Sequence, residues 1–380
     1  MAIELDPYKG REQSYVKHFF LTEYLKDAAY KILQGRSPIF NFVDAYAGPW
    51  RVSDTENLSD ASFDQALQTL EAVRARLGAS GKAGLKIRFF FCETRRDAVE
   101  ELRRYAKQKR RFQIEIFEGS FESNLDNISA ACRDGFTFTF IDPSGWNVHL
   151  QAVLGFLREQ KGEFLLNFMA ENINRHADYS VVAKSFGRFL ADENWDREFR
   201  NLPSDWNNET RIMHLLKNRI KEAGVATYLP EMPILKPLQE RVKMRLILGT
   251  HKKEGLEVFR NVQARVEREQ TAARQQLRNQ EQPQASLFSN EELALFEQKL
   301  AGVGCPEYKK QAERMIMDIL AAQPAAKYGL VACKVLEEIP MRRTHVNQLA
   351  RGMKQRGIIT YDLPPRKQVP KDNTEISLPA

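Results

Sequence analysis

The sequence predicts an α/β protein built on a doubly wound, mostly parallel β-sheet. Five short apolar segments, rich in β-branched and aromatic residues, alternate with stretches of helix length in the first half of the 380 residues. Four of these predicted strands end in a polar residue, namely Asp44, Glu93, Asp142 and Asn167. Because the carboxyl ends of parallel strands meet at one edge of a sheet, these side chains are expected to face a common ligand.

The length and composition predict a globular protein with more than one domain. The chain of 380 residues exceeds the length at which a single core keeps growing. It contains neither a membrane-spanning apolar run nor an apolar leader, so we expect a cytoplasmic protein without a membrane partner. The net charge of +7 permits a polyanionic partner without requiring one. Neither a zinc site nor a disulfide framework is indicated, since no CxxC pair occurs among Cys92, Cys132, Cys305 and Cys333.

The first predicted strand follows an amphipathic helix. The helix is predicted over residues 13–33, and its Lys17 and His18 are interpreted as a solvated pair rather than as ligand contacts. The strand, Ile39–Asp44, ends in an acid and is followed by the small-residue turn Ala47-Gly48-Pro49. Such a strand end suits a ligand with hydroxyl or ammonium groups. The alternative is that the strand simply ends in a turn and binds no ligand there.

The second predicted strand, Leu85–Cys92, ends at Glu93 and leads into a strongly basic helix. Most of the basic side chains are interpreted as a solvated outer face, and a nucleic-acid-binding patch is the alternative. They are Arg95, Arg96, Arg103, Arg104, Lys107, Lys109, Arg110 and Arg111.

Three further strands complete the β–α repeats, and a pair of strands is predicted at the edge of the sheet. The repeats use Phe112–Phe117, Phe136–Ile141 and Glu163–Met169. The edge pair is Val225–Leu229 with Val242–Gly249, joined by a proline-rich connection that an antiparallel edge can accommodate.

The C-terminal part is predicted to be a separate winged helix-turn-helix domain. The Gln-rich residues 279–290 are interpreted as a linker, residues 291–365 as the winged helix with a strand at Ile358–Tyr361, and residues 366–380 as a tail. The last helix of this domain suits entry into the major groove of DNA. The alternative is that the domain dimerises or contacts another protein. Its candidate nucleic-acid contacts are Arg342, Arg343, Asn347, Arg351 and Lys354.

The strand ends favour a nucleoside ligand without phosphates. An acid after the second strand can accept hydrogen bonds from both ribose hydroxyls, but AYAGPWRV lacks the glycines that a pyrophosphate needs. S-adenosylmethionine is the commonest such cofactor. Asp44 would orient its methionine end, Glu93 its ribose and Gly119-Ser120 its adenine. The predicted cofactor site also includes Tyr46, Ala47 and Gly48.

The turn after the fourth strand is the predicted transfer site, formed by Asp142, Pro143, Ser144 and Gly145. Since the residue before a proline is extended, Asp142 is expected to point outward and to accept a hydrogen bond from an acceptor amine. The alternative is that Asp142 caps a helix beginning at Asn147. The candidate substrate-binding residues are Trp146, which could stack on an unpaired base, Asn167, Asn174 and Arg175.

Seven motifs occur in an order that resembles the three-Cys-motif partner protein family of bacteria: FVDAYAGP, FFCE, EGSF, FIDPSGW, NFMAENINR, SFGRF…NW and LILGTHKKEGLEVFRNV. The resemblance covers roughly residues 14–262. It implies a Rossmann-like class I methyltransferase fold over residues 1–278, an antiparallel pair at the sheet edge, and a partner with a three-cysteine, radical-SAM-like motif. Members usually carry glycine where this chain has Trp50, which either restricts backbone approach to the cofactor or stacks on it.

The sequence is compatible with three functions. The first is methyl transfer from S-adenosylmethionine to an exocyclic amine or ribose hydroxyl of nucleic acid. The second is a catalytically inactive, methyltransferase-shaped nucleic-acid-binding module that serves the three-cysteine partner. The third is a Mg²⁺-dependent nuclease using Asp44, Glu93 and Asp142, which is weaker because these acids lie on three different strands.

Overall fold

The computed structural model describes residues 5–48, 52–55, 57–143, 145, 148–171, 186–281, 292, 295, 299, 302–364 and 367–379. The chain divides into two units, Glu4–His251 and Lys252–Ala380. This division differs from the boundary at residue 278 in the sequence analysis, because the long helix that begins at Lys253 packs against a helix of the second unit. In the described part of the chain, no helix is both long and apolar enough to cross a membrane.

The first unit alternates strands and helices as far as its fifth strand. The strands are β1 Ile39–Asp44, β2 Lys86–Glu93, β3 Gln113–Glu118, β4 Phe136–Ile141, β5 Gly162–Phe168, β6 Glu231–Leu235 and β7 Val242–Gly249. The helices are α1 Glu12–Lys31, α2 Ser62–Ala79, α3 Arg96–Gln108, α4 Leu125–Ala131, α5 Leu150–Glu159, α6 Trp195–Asn201 and α7 Asn208–Glu222.

The described strands of this unit form one seven-stranded sheet in the order β3-β2-β1-β4-β5-β7-β6. Each strand is parallel to its neighbours except β7, which is antiparallel to both β5 and β6. The strand order reverses between β1 and β4, so the end of β4 lies beside the end of β1. This confirms the predicted doubly wound sheet, and the mixed topology fits a Rossmann-like methyltransferase fold.

Aromatic side chains fill the space between the sheet and its helices. The ring of Phe42 on β1 lies 6.2 Å from that of Phe89 on β2 and 6.3 Å from that of Phe138 on β4. Helix α1 packs against α2, and its fully buried Tyr24 donates a hydrogen bond of 2.7 Å to Glu163 on β5. The strands therefore have apolar runs rather than alternating patterns, because both faces of the sheet are covered.

The edge of the sheet differs from the prediction in one strand. The bounds of β7 are confirmed, but the prediction of a strand at Val225–Leu229 is wrong. In the described structure that segment contributes an isolated bridge between Tyr228 and Thr250. The last strand is β6, which contains Pro233 and lies within the segment interpreted as a connection. An edge strand tolerates proline because its outward-facing positions need no hydrogen-bond donor.

The second unit contains helices and a small antiparallel sheet. Its elements are α8 Lys253–Glu281, α9 Pro306–Ala322, β8 Ala325–Lys327, α10 Tyr328–Glu338, α11 Arg343–Gln355 and β9 Glu375–Ser377. The buried Arg260 of α8 donates to the carbonyl oxygens of Leu336 and Glu337 at 2.6 and 2.7 Å, which satisfies the end of α10.

Some sequence assignments in the second unit need correction or stay open. Residues 279–281 belong to α8 rather than to a linker, and residues 282–290 lie outside the described residues. β8 pairs with β9, which lies in the stretch interpreted as a tail. The predicted strand Ile358–Tyr361 contributes an isolated bridge between Thr360 and Ser377 in the described structure. The winged-helix assignment stays a prediction.

Gly162 at the start of β5 gives a test of the sheet packing. A Cβ at this position would lie 1.7 Å from the carbonyl oxygen of Thr137 on the neighbouring strand, and backbone cannot move aside as a side chain can. Gly162→Ala is expected to reduce the free energy of unfolding by at least about 1–3 kcal/mol in urea titrations. Gly155→Ala on α5 is the control, since nothing lies within 4 Å of its Cβ position. Equal stability of the two variants would contradict the described pairing of β4 with β5.

Candidate functional site at the carboxyl ends of the strands

The carboxyl ends of β1, β2, β4 and β5 surround a cavity of about 560 Å³ in the first unit. Its size is that of a small-molecule or cofactor site. Most of the described candidates line it: Tyr46, Ala47, Glu93, Gly119, Ser120, Asp142, Pro143, Gly145 and Asn167. Asp44 is fully buried and is absent from the lining, as is Gly48.

Glu93 ties the end of β2 to the turn after β1. One carboxylate oxygen accepts a hydrogen bond of 3.1 Å from the backbone N–H of Gly48, which has a positive φ of 72°. The other oxygen accepts from the backbone N–H of Arg95 at 2.8 Å and from the hydroxyl of Thr94 at 3.2 Å. A carboxylate has about four acceptor positions. Glu93 therefore holds the turn in place and can still accept a hydrogen bond from a ligand.

Asp44 is a buried acid with few hydrogen bonds. Its carboxylate accepts from the backbone N–H of Tyr46 at 3.2 Å and from the hydroxyl of Ser62 at 3.3 Å. Burial raises the pKa of Asp44 to about 7, and the nearby charge of Asp142 acts in the same direction, whereas Tyr46, Lys17 and Ser62 oppose the rise. A cationic ligand group would stabilise the ionised form of this acid.

The turn after β3 is rigid and lies at the side of the cavity. Gly119 has a φ of 115°, and its backbone N–H donates to the carbonyl oxygen of Glu93 at 2.9 Å. The amide of Asn124 donates to the carbonyl oxygen of Ser120 at 2.9 Å. Beside this turn, burial raises the pKa of the Cys92 thiol to about 12. Cys92 therefore stays protonated at neutral pH and supplies no thiolate nucleophile.

Asp142 forms the charged centre at the end of β4. One carboxylate oxygen pairs with the ammonium group of Lys17, and the other accepts a hydrogen bond of 2.6 Å from the side-chain amide of Asn167. The alternative that Asp142 caps a helix at Asn147 is not supported, because α5 begins at Leu150 with His149 before it. Asp142 is thus held toward the cavity by two side chains.

The carbonyl oxygen of Asn167 is the unsatisfied acceptor of this site. Asn167 is 2% exposed, and within the described residues its Oδ1 has no hydrogen-bond partner. Such an acceptor costs about 1–3 kcal/mol unless a donor satisfies it. Because the amide of the same residue points at Asp142, the two residues offer neighbouring acceptors to a ligand group with two N–H bonds.

The interpretation of Lys17 and His18 as a solvated pair is wrong. They are 8% and 6% exposed, and both line the cavity. Burial lowers the pKa of His18 well below its ordinary value, assisted by the charges of Lys17 and Arg11, so its ring is neutral. A signal was present in the sequence, since Lys17 precedes Leu21 and Leu25 by one and two helical repeats on the buried stripe.

Several candidate residues lie outside the described residues. They are Pro49, Trp50, Ser144, Trp146, Asn174 and Arg175. Lys243 and Met244 of β7 line the cavity and were missed, because nothing in the sequence pattern places the start of β7 beside the carboxyl end of β5.

The candidate nucleic-acid contacts in the second unit fall into two groups. Arg343 lies over the ring of Tyr328 at 4.8 Å and pairs with Asp372 at 2.5 Å. Asn347 accepts hydrogen bonds from Tyr328 at 2.6 Å and from Arg343 at 3.3 Å. These two residues therefore hold α11 within its unit. The remaining three are exposed, namely Arg342, Arg351 and Lys354, although the ammonium group of Lys354 also donates to the carbonyl oxygen of Tyr361.

No protein-family model matches the chain, and no curated protein matches it. Solved structures resemble it distantly. A Legionella pneumophila protein of family DUF519 has a TM-score of 0.34 at 12% identity, over 63% of this chain and 85% of that chain. Loganic acid methyltransferase with SAH has a TM-score of 0.31 at 12% identity, over 78% and 89%. PKMT2 from Rickettsia typhi has a TM-score of 0.31 at 10% identity, over 63% and 56%.

The site does not provide a ready set of metal ligands. Among the described residues, no group of three or more His, Cys, Asp or Glu side chains is arranged to hold a metal ion. The carboxylate of Glu93 is engaged by backbone N–H groups, and that of Asp142 by Lys17 and Asn167. The geometry therefore does not favour the nuclease alternative.

The raised pKa of Asp44 predicts a pH-dependent stability. The folded protein binds this proton more tightly than the unfolded chain, whose carboxyl has a pKa near 3.8, so the stabilisation is full below about pH 4 and is lost as the pH rises through about 7. The loss approaches about 1.4 kcal/mol per pH unit between those values. In urea titrations, the free energy of unfolding of Asp44→Asn should fall less between pH 4 and pH 7 than that of the wild type. Asp97→Asn is the control, because the Asp97 side chain is 72% exposed, and its free energy of unfolding should change with pH as that of the wild type does. Parallel pH profiles for all three proteins would contradict the assignment.

Proposed function

We propose that the first unit is an S-adenosylmethionine-dependent methyltransferase whose acceptor is an exocyclic amine of nucleic acid. The observation that carries the proposal is the pair of acceptors formed by Asp142 and Asn167 at the edge of a cavity whose opposite side carries Glu93. The three-cysteine partner protein follows from the sequence resemblance and is proposed on that basis alone.

The residues of the cavity fit this cofactor. Glu93 accepts three hydrogen bonds and retains acceptor capacity for a ribose hydroxyl, and the rigid Gly119-Ser120 turn, which lines the cavity, is proposed to border the adenine. Asp44 does not line the cavity, so its carboxylate would act on the ammonium group of the methionine end through its charge rather than by direct contact. When bound, the cofactor supplies an electrophilic methyl group on a sulfonium. The protein's contribution is to hold the acceptor nitrogen in line with that group.

The charges around Asp142 favour a neutral amine as the acceptor. Asp142 and Asn167 can each accept one N–H of an amine, and Asp142 can take the proton that the nitrogen loses when it is methylated. Lys17 already places a buried positive charge beside Asp142. A second cation would have to share the carboxylate of Asp142 with Lys17 and would be repelled by Lys17. Nucleobase amines are neutral at pH 7, whereas a lysine ammonium is not, so the former is the proposed class.

The second unit is proposed to be a winged helix that binds nucleic acid. Its helices α9, α10 and α11 and its strand pair occur in an order that suits this fold. Between residues 342 and 371 the chain has eight basic residues and one acid, and Arg342, Arg351 and Lys354 are exposed. Exposed positive charge of this density favours contact with phosphates.

The cofactor assignment predicts a specific loss of binding. Glu93→Ala should weaken S-adenosylmethionine binding by roughly 1–3 kcal/mol in calorimetric titrations, because ribose hydroxyls would lose their acceptor. Glu118→Ala is the matched control, since Glu118 is paired with Glu93 in the sheet register but does not line the cavity. A wild-type protein that shows no heat and no thermal shift with millimolar cofactor would refute the cofactor.

The acceptor assignment predicts a separation of catalysis from cofactor binding. Asp142→Ala should lower methyl transfer at least about 100-fold, because the acceptor amine is no longer positioned. Cofactor affinity should change little, since Asp142 is placed on the acceptor side. Transfer of radiolabelled methyl groups to total RNA and DNA measures the first quantity, and calorimetry the second. Wild-type protein that binds nucleic acid and cofactor without any incorporation would favour the inactive-module alternative.

A further inference from the structure

The outward face of α3 and the residues after it form a basic surface on the first unit. Six exposed side chains make up this α3 surface: Arg96, Arg103, Arg104, Lys107, Arg110 and Arg111. Arg96, Arg103 and Arg104 are 91%, 52% and 74% exposed at the side chain. Because Arg96, Arg103 and Lys107 are spaced by seven and four residues, with Arg104 adjacent, these four side chains project along one side of the helix, and Arg110 and Arg111 follow its end. Glu100 is an exposed acid on that face.

Folding alone gives little reason for this concentration of charge. Lys107 follows Arg103 and Arg104 by four and three positions, and like charges at these spacings destabilise a helix, whereas the helix dipole favours Lys107 in the last turn. Arg96 lies in the first turn, where the helix dipole disfavours positive charge. The ion pairs of Arg96 and Arg103 with Glu118 have distances of 3.8 and 3.0 Å and lie in solvent. Such pairs stabilise a protein only slightly.

Arg104 has an exposed ion pair of 3.9 Å with Glu101, and Arg110 and Arg111 also have contacts that favour the fold. The guanidinium of Arg110 donates to the carbonyl oxygen of Lys107 at 3.3 Å, and that of Arg111 lies 4.7 Å from the ring of Phe112. Both contacts leave the charged groups at the surface, where the residues are exposed. Within the described residues, no salt bridge joins Lys107, Arg110 or Arg111 to an acid. Their charges are therefore available to a partner.

The α3 surface begins at the rim of the candidate site. Glu93 and Thr94 line the cavity, and α3 starts two residues after Thr94. A helix of this length extends about 20 Å from that rim, and a nucleic-acid strand carries one phosphate per about 3.4 Å of a duplex axis. Five of the six side chains are arginines, whose planar guanidinium groups match phosphate oxygens in pairs.

We propose that the α3 surface binds the sugar–phosphate backbone of the nucleic acid whose base enters the cavity. The identity of the ligand as a substrate rests on the proposed function. The binding itself rests on the charge of α3 and requires no methyl transfer. The contacts would be independent of base sequence, because they involve phosphates alone.

The test is a salt-dependent binding measurement on the full chain without cofactor. Fluorescence anisotropy with labelled single-stranded and duplex RNA and DNA gives the slope of log K against log salt concentration. The variant combines Arg103→Gln, Arg104→Gln, Lys107→Gln and Arg110→Gln. The control combines Lys31→Gln, Arg76→Gln, Lys86→Gln and Arg133→Gln, which removes four exposed charges from the opposite edge of the same sheet.

The α3 variant should reduce the slope by about one for each phosphate that it no longer binds, and it should weaken binding equally for all sequences. The control should keep the wild-type slope. Equal slopes for the α3 variant and the control would show that the α3 surface does not bind phosphates. The proposed function would not be affected by that result. Competition by polyglutamate as effective as that by nucleic acid would also contradict the proposed binding by the α3 surface, because the surface would then select charge rather than a nucleic-acid backbone.

Discussion

Two carboxylates at adjacent strand ends, with one buried ammonium group to balance them, are the constraint on which the candidate site depends. Asp44 ends β1 and Asp142 follows β4, which β1 contacts directly in the sheet. The charge of Asp142 raises the pKa of Asp44 and that of Lys17 lowers it, and Lys17 also pairs directly with Asp142. Helix α1 must therefore bring Lys17 to this point, which explains why a charged residue lies on its buried stripe.

The two sides of the cavity differ in how many of their hydrogen-bonding groups already have partners in the protein. On one side, Glu93 secures the turn after β1 through Gly48, and the Gly119-Ser120 turn is fixed by Asn124, so that this side is prearranged before a ligand arrives. On the other side, the Oδ1 of Asn167 has no partner among the described residues. The rigid side, around Glu93, suits the binding of a cofactor. The other side, where the oxygen of Asn167 lacks a partner among the described residues, suits the binding of a second molecule. Prearrangement of this kind lets binding energy be used for positioning rather than for ordering the protein.

The sequence predicted the sheet better than it predicted the details of the site. Apolar runs rich in phenylalanine mark β1 and β4 as strands buried on both faces, and the polar residue after each run is visible in the sequence, so these strands and their ends could be located closely. The apolar run Leu246–Leu248 likewise marks β7. Strand β6 was missed because Pro233 argues against a strand unless the edge position is known. Lys17 was misinterpreted because a lysine on a helix is usually solvated, and its partner Asp142 is 125 residues away. The unsatisfied oxygen of Asn167 depends on side-chain geometry that no sequence pattern expresses.

The most direct test of the central claim is a crystal structure of the full chain grown with S-adenosylhomocysteine. If the strand ends bind the cofactor, density for the ligand will lie in the cavity, with a ribose hydroxyl about 2.5–3.0 Å from the carboxylate of Glu93. The adenine should border Gly119-Ser120, and the sulfur should face Asp142 and Asn167. Ligand density away from these strand ends, or a cavity without ligand at millimolar concentration, would contradict the account.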